Sequence, residues 1–243
     1  MIELKHVSKT YGGGKKAVCD VSLEIADGEI TGFIGPNGAG KTTTLKMITG
    51  ILKPDEDGGA VLLNQIPMAK NPLEAKKQFG FVSDNPDNFL RLKGIEYLNF
   101  MADIYEVPSE GRWERIESFA RRFEIEDALN DKILSYSHGM RQKIMVMGAL
   151  LHNPSIWILD EPLTGLDPKS AFELKEMMKE HAASGRSVLF STHVLEVAEK
   201  LCDKVVIINR GQIVYQGTLE QLRAAYPGID SLENIFLELT KDA

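Results

Sequence analysis

The chain has 243 residues, enough to bury about 70% of its extended-chain surface on folding and so to build a substantial core. Its net charge of −7 excludes the basic stripe that a nucleic-acid-binding surface needs. The charged start Met1–His6 is no signal peptide, apolar runs such as Val205–Ile208 are too short to span a bilayer, and the isolated Cys19 and Cys202 predict reduced thiols in a soluble, cytosolic protein.

In chain order, apolar alternation predicts strands over Ile2–Val7 and Val18–Ile25, joined by the loop Tyr11-Gly-Gly-Gly-Lys-Lys16. Glu29–Ile34 reads as a short buried strand, followed by a helix over Thr42–Thr49. Pro54-Asp-Glu-Asp-Gly-Gly59 is a turn cluster before strands over Ala60–Leu63 and Phe79–Val82. From about Asn85 to Leu151 the apolar spacing becomes helical, predicting helices over Ile95–Tyr105, Arg112–Phe123 and Met140–Leu151. At the start of that stretch, Phe89, Leu90 and Leu92 show no period tying them to a core. Alternation then returns, with strands over Ile156–Leu159, Ser187–Ser191, Lys204–Ile208 and Gln212–Gln216. Between them lie helices over Pro168–Ala183 and Leu195–Lys200 and the turn Asn209-Arg-Gly211, and the tail from Thr218 ends in two helices. Such alternation implies a mainly parallel, covered sheet in one α/β domain over 1–243, with a helical lobe inserted at about 85–151 and a helical tail over 218–243.

Gly35-Pro36-Asn37-Gly38-Ala39-Gly40-Lys41-Thr42 fits the phosphate-cradling pattern G-x-x-x-x-G-K-[ST] at every fixed position, between a strand and a helix. Its glycines let backbone N–H groups turn inward around a triphosphate, and the helix N-terminus adds partial positive charge. Lys41 is expected to reach the β- and γ-phosphates, and the Thr42 hydroxyl to ligate Mg²⁺. Without its flanking strand and helix the loop would read as an ordinary glycine turn. In this setting it predicts a nucleoside triphosphate site on a P-loop NTPase core.

The strand Ser155-Ile-Trp-Ile-Leu-Asp-Glu161 ends in two carboxylates. Asp160 is placed to hold the Mg²⁺ shell near Thr42, and Glu161 is the candidate general base for an attacking water. Ser137-His-Gly-Met-Arg-Gln142 opens a helix, with Ser137 in the style of an N-cap. Alone, that segment is an ordinary cap, and His193 an ordinary satisfied histidine.

Their order changes the reading, because along nearly its whole length the chain resembles the ATP-binding cassette family. The loop Gly35–Thr42, the signature-like Tyr136–Gln142, the strand and carboxylates Ile156–Glu161, Leu166-Asp167 and Ser191-Thr-His193 follow the order of that family. Tyr11 occupies the place of an aromatic that stacks on adenine. The resemblance implies an N-terminal antiparallel β subdomain and a head-to-tail dimer enclosing two ATP molecules with Mg²⁺. Each ATP would lie between Gly35–Thr42, with Thr43 beside it, and Ser137, His138 and Gly139 of the other subunit. Asp167 would communicate across the interface and His193 would contact the γ-phosphate. Two positions depart from the pattern. His138 replaces the first of two glycines, as in exporter-type cassettes, and Asp84 stands for the glutamine after the Phe79–Val82 strand. An aspartate is shorter, charged and no amide donor, yet it remains a candidate for both water and Mg²⁺ contact.

Thr192–Glu199 and the tail Ser231–Leu239 are similar to bacterial exporter ATPases, cytosolic subunits held at the inner membrane face by a separate integral membrane permease. The resemblance implies a homodimer or heterodimer, no nucleic-acid partner, ATP hydrolysis coupled to transport, and a short permease helix docking beside Asn85–Leu92. The transported substrate belongs to the permease. The end at Ala243 leaves little room for a regulatory domain. Cassette ATPases of DNA repair, chromosome organisation or translation generally carry paired cassettes, long coiled coils or zinc-binding cysteines, and none of these occurs in this sequence. A regulator without turnover would leave Glu161 no evident role.

Overall fold

In a computed structural model, which describes residues 1–55, 59–229 and 231–241, the first strand enters the core at Ile2, Leu4 and Val7, its alternation offset by one residue between Leu4 and Val7. This strand, β1 (Ile2–Thr10), is followed by β2 (Lys16–Ile25), β3 (Ile30–Ile34) and α1 (Lys41–Ile48). Next come β4 (Ala60–Leu63), β5 (Ile66–Pro67), α2 (Pro72–Lys77) and β6 (Phe79–Val82). The helical stretch contains α3 (Gly94–Ile104), α4 (Arg112–Phe123) and α5 (His138–Leu150), with short 3-10 turns between α4 and α5. It is followed by β7 (Ile156–Asp160), α6 (Pro168–Ala183), β8 (Ser187–Thr192) and α7 (Leu195–Leu201). The chain closes with β9 (Lys204–Asn209), β10 (Gln212–Thr218), α8 (Leu219–Ala225) and α9 (Leu232–Lys241).

A 4-stranded antiparallel sheet has the order β2-β1-β4-β5, and a 6-stranded sheet the order β10-β9-β3-β8-β7-β6. In the larger sheet only the edge strand β10 runs antiparallel, turning back at Arg210 and Gly211, both at positive φ as a tight hairpin turn requires. The central strands are covered on both faces, so β3, β7 and β8 are buried throughout and read as continuous apolar runs. Their alternation divides the interior in two. Trp157, Leu159 and Phe190 pack with α3–α6, whereas Ile156, Ile158 and Leu189 pack with α1 and the antiparallel sheet. A third cluster joins Val205 and Ile207 to α7, α8 and α9. Because the strands are parallel, Ile34, Val82, Asp160 and Thr192 all end at one edge of the sheet.

Several boundaries differ from those predicted. β1 runs to Thr10 because the register shifts at His6 and Asp20, both at positive φ, and the pairing resumes beyond the irregularity. α5 begins at His138 because Ser137 caps it, so Gly139 lies in the first turn instead of breaking the helix. β5 and α2 carry too few residues for a periodicity, and Pro72 starts α2. Leu90 and Leu92 correct the reading of the 85–92 segment: both pack against the α3–α6 core. Phe89 alone stays 43% exposed, at φ 61°, with its ring 5.2 Å from that of Tyr97 and 5.7 Å from that of Phe100. In the predicted turn cluster, Glu56, Asp57 and Gly58 lie outside the described residues, as do Asp230, Asp242 and Ala243 of the predicted tail.

Candidate nucleotide-binding site

The segment Gly35–Gly40 leaves β3 and wraps into the N-terminus of α1. Glycine is required at both ends by close approach. A Cβ on Gly35 would lie 2.4 Å from the Ile208 carbonyl oxygen, and one on Gly40, at φ 112°, 2.6 Å from that of Ala17. Lys41 is 7% exposed, and its Nζ donates to the carbonyls of Gly35 at 2.6 Å and Pro36 at 3.3 Å. A cavity of about 520 Å³ opens over this loop. Its wall unites Pro36, Asn37, Gly38, Gly40, Lys41, Thr42 and Thr43 with Asp84, Glu161 and Tyr11. Gly35 and Ala39 shape the loop from behind, Ala39 being buried. Tyr11 stands on the β1–β2 loop with its hydroxyl 3.3 Å from Thr43 Oγ1.

The carboxylates come from β7. Asp160 is 1% exposed and accepts a hydrogen bond from the Ser191 hydroxyl at Oδ1. Its Oδ2 is buried with no hydrogen-bond partner among the described residues. Burial pushes the Asp160 carboxyl above the usual carboxylate range, with Asp84 and Glu161 adding repulsion and the Ser191 and Thr42 hydroxyls opposing it. An orphaned carboxylate oxygen beside a threonine hydroxyl is a set of hard oxygen donors, which fits Mg²⁺. Among the described residues no group of ≥ 3 His, Cys, Asp or Glu forms a complete cage.

Glu161 follows at φ 49°, with its N–H donating to Ser191 Oγ at 2.9 Å. Its Oε1 lies 3.7 Å from Lys41 Nζ and its Oε2 3.0 Å from Nδ1 of the exposed His193. Lys41, Glu161 and His193 thus form one line of contacts from the loop to the end of β8. Asp84, exposed beyond β6, accepts from the Ser83 hydroxyl at 3.1 Å.

Ser137, His138, Gly139 and Asp167 do not line this cavity. Ser137 accepts from the Met140 N–H at 3.3 Å, capping α5. The turn after it lies against Gly165: a Cβ on Gly139 would be 3.0 Å from the Gly165 oxygen, and one on Gly165 would be 2.3 Å from His138 Cδ2. Asp167 caps α6, accepting from the Ser170 N–H at 2.9 Å, and lies 3.4 Å from Lys143 Nζ. The Ser170 hydrogen bonds, aided by Lys143, hold its carboxyl well below the usual range. The starts of α5 and α6 therefore form a second locus, joined through the 165–167 loop.

The sequence model of the ABC transporter family matches residues 18–164. The chain belongs to that family. It is 36% identical over 226 residues to the ABC transporter ATP-binding protein NatA of Bacillus subtilis (strain 168), spanning 91% of each chain. Its fold superposes with a TM-score of 0.92 on the ATP-binding subunit of an ABC transporter, at 34% identity over 98% of this chain and 99% of the other. The cassette MJ0796, solved as a dimer in a post-hydrolysis state with ADP and Pi, gives a TM-score of 0.80 at 28% identity, over 90% and 99% of the two chains. The protein is an ABC ATPase, the ATP-binding subunit of a transporter.

In this ABC cassette, sequence reasoning missed Lys15 and Ala17, which join Tyr11 on the cavity wall. The fold of the β1–β2 loop and the start of β2 against α1 brings them there. Ser191 carries no role legible in the sequence, since the partners of its side chain depend on strand register.

Proposed function

We propose that this cassette binds ATP with Mg²⁺, pairs head-to-tail with a second cassette, identical or not, around two ATP molecules, and hydrolyses ATP to drive export through a separate integral membrane permease. The observation that carries the reading is the line of contacts Lys41–Glu161–His193, whose first two members line the cavity, beside the orphaned Asp160 Oδ2. Backbone N–H groups at the start of α1 receive the phosphates of the substrate. Lys41 Nζ exchanges its loop carbonyls for β- and γ-phosphate oxygens. Thr42 and Asp160, with Asp84 across the cavity, would hold Mg²⁺, whose charge offsets that developing on the phosphate oxygens. Glu161 takes a proton from the attacking water, and His193, held by Glu161 Oε2, contacts the γ-phosphate. The Tyr11 ring stacks on adenine, with Thr43 steadying its hydroxyl.

Ser137, His138, Gly139 and Asp167 complete the nucleotide site of a second subunit; their separation from this chain's own cavity supports that geometry, and the dimeric MJ0796 supports the assembly. Among the described helices none is long and apolar enough to cross a membrane. This supports a peripheral place at the inner face of the cell membrane, with the permease supplying the membrane path. The His138-Gly139 form of the signature supports export, and the net charge of −7 argues against a nucleic-acid partner.

Glu161→Gln tests the reading, because it removes the base and keeps size and polarity. Turnover is expected to fall about 10²–10⁴-fold while ATP still raises the melting temperature and a dimer accumulates on size-exclusion chromatography. Wild-type turnover in this variant would remove Glu161 from its role.

A further inference from the structure

β7 and β8 pair in parallel with Asp160 opposite Ser191. That register carries the wholly buried Ser191 between the two carboxylate residues. Its hydroxyl donates to Asp160 Oδ1 and accepts the Glu161 N–H at 2.9 Å. A hydroxyl has one proton and two lone pairs, so both bonds form at once and each orients the other. The first leaves Asp160 Oδ2 as the oxygen without a partner among the described residues. The second ties down the backbone of Glu161 at φ 49°, a region that glutamate rarely enters and that persists only when its surroundings hold it. From that turn the Glu161 carboxylate meets Lys41 and His193.

We propose that Ser191 is a positioning residue for hydrolysis, its single hydroxyl setting both the orientation of Asp160 toward a divalent cation and the backbone turn that aims Glu161. The proposal rests on the roles assigned above to Asp160 and Glu161. A serine that merely filled the sheet would affect melting temperature alone. A positioning serine also affects the metal dependence of nucleotide binding.

The test compares full-length Ser191→Ala, Ser191→Cys and Ser191→Thr with the wild type and with Glu161→Gln. One readout is the Mg²⁺ concentration giving half of the rise in melting temperature caused by a non-hydrolysable ATP analogue. The other is steady-state hydrolysis, separated into kcat and KM. For Ser191→Ala and Ser191→Cys the Mg²⁺ midpoint is expected to rise, and kcat to fall, by about 10–100-fold, the usual effect of removing a group that orients a metal ligand. KM for ATP should change little, and Ser191→Thr should restore both quantities. Cysteine nearly preserves the volume, so Ser191→Cys decides the matter if Ser191→Ala does not fold. An unchanged Mg²⁺ midpoint and kcat in either folded variant overturns the proposal. Wild-type turnover in Glu161→Gln would instead strike the reading of Glu161, and the Mg²⁺ midpoint would still report on Ser191 and Asp160.

Discussion

Lys41 shows how one side chain is held ready for the role proposed for it. Its ammonium is nearly buried, and two backbone carbonyls and the Glu161 carboxylate surround it. Burying an ammonium costs less when its N–H donors are paired, and phosphate oxygens can replace the carbonyls without a further desolvation cost. Lys41→Ala should therefore abolish triphosphate affinity with little harm to the fold. In the wild type, ATP with Mg²⁺ at about a hundred times its Kd should stabilise the protein by about 2.7 kcal/mol, read as a rise in melting temperature. That rise should vanish in Lys41→Ala. An undiminished rise would place the nucleotide elsewhere.

At the scale of elements, the segment between β6 and α3 leads from Asp84 on the cavity wall to the helices. Leu90 and Leu92 anchor it to the α3–α6 core, while Phe89 rests on Tyr97 and Phe100 with much of its ring in solvent. Phe100 and Ile104, one turn apart on α3, are also exposed. We propose this face as the place where a permease helix docks. Phe89→Asp should detach the protein from permease-containing membranes and leave soluble ATPase activity intact. Aspartate tolerates positive φ better than most residues, and the lost ring pairs are worth about 0.5–1.5 kcal/mol each, so the melting temperature should fall only modestly. Full membrane retention would sink the docking assignment. Leu90→Asp is a poor probe of the same face, because it would set a charge against the core on which Leu90 packs.

Across the whole molecule, acid should unfold this protein through histidines far from the nucleotide. His152 stacks on Tyr105 with ring centroids 3.7 Å apart and donates from Nε2 to the Phe79 carbonyl, and His181 packs on Trp157. Burial is the main cause that pushes both down from 6.5 to about 4. The folded state thus holds them neutral while the unfolded chain takes up protons. Their contribution is fully present above about pH 6.5 and is lost as the pH falls toward 4. Asp167, held low, loses its own contribution at still lower pH, whereas the raised Asp160 works in the opposite sense. The melting temperature should therefore decline between pH 6.5 and 4. His181→Phe, which keeps a ring against Trp157, should make that decline shallower. An unchanged slope would show that His181 is not buried in its neutral form.

The phosphate loop, the strand ending in Asp160 and Glu161, and the alternation of strands with helices were all legible in the linear sequence. Each rests on local chemistry: glycines where no Cβ fits, apolar runs buried on two faces, a hydroxyl that caps the next turn. The fates of Leu90 and Phe89 were not legible, because neighbouring residues of one loop face different surroundings once α3 and α5 pack. Nor was the role of Ser191, since only the parallel pairing of β7 with β8 sets its hydroxyl between Asp160 and the Glu161 amide. The residue types and their order by themselves determined that the chain is an ATP-binding cassette with a phosphate-loop pattern at the end of β3. The tertiary structure alone decided which side chains meet there and which, like Ser137 and Asp167, stand apart, because strand register and crossover order set distances that no local rule contains.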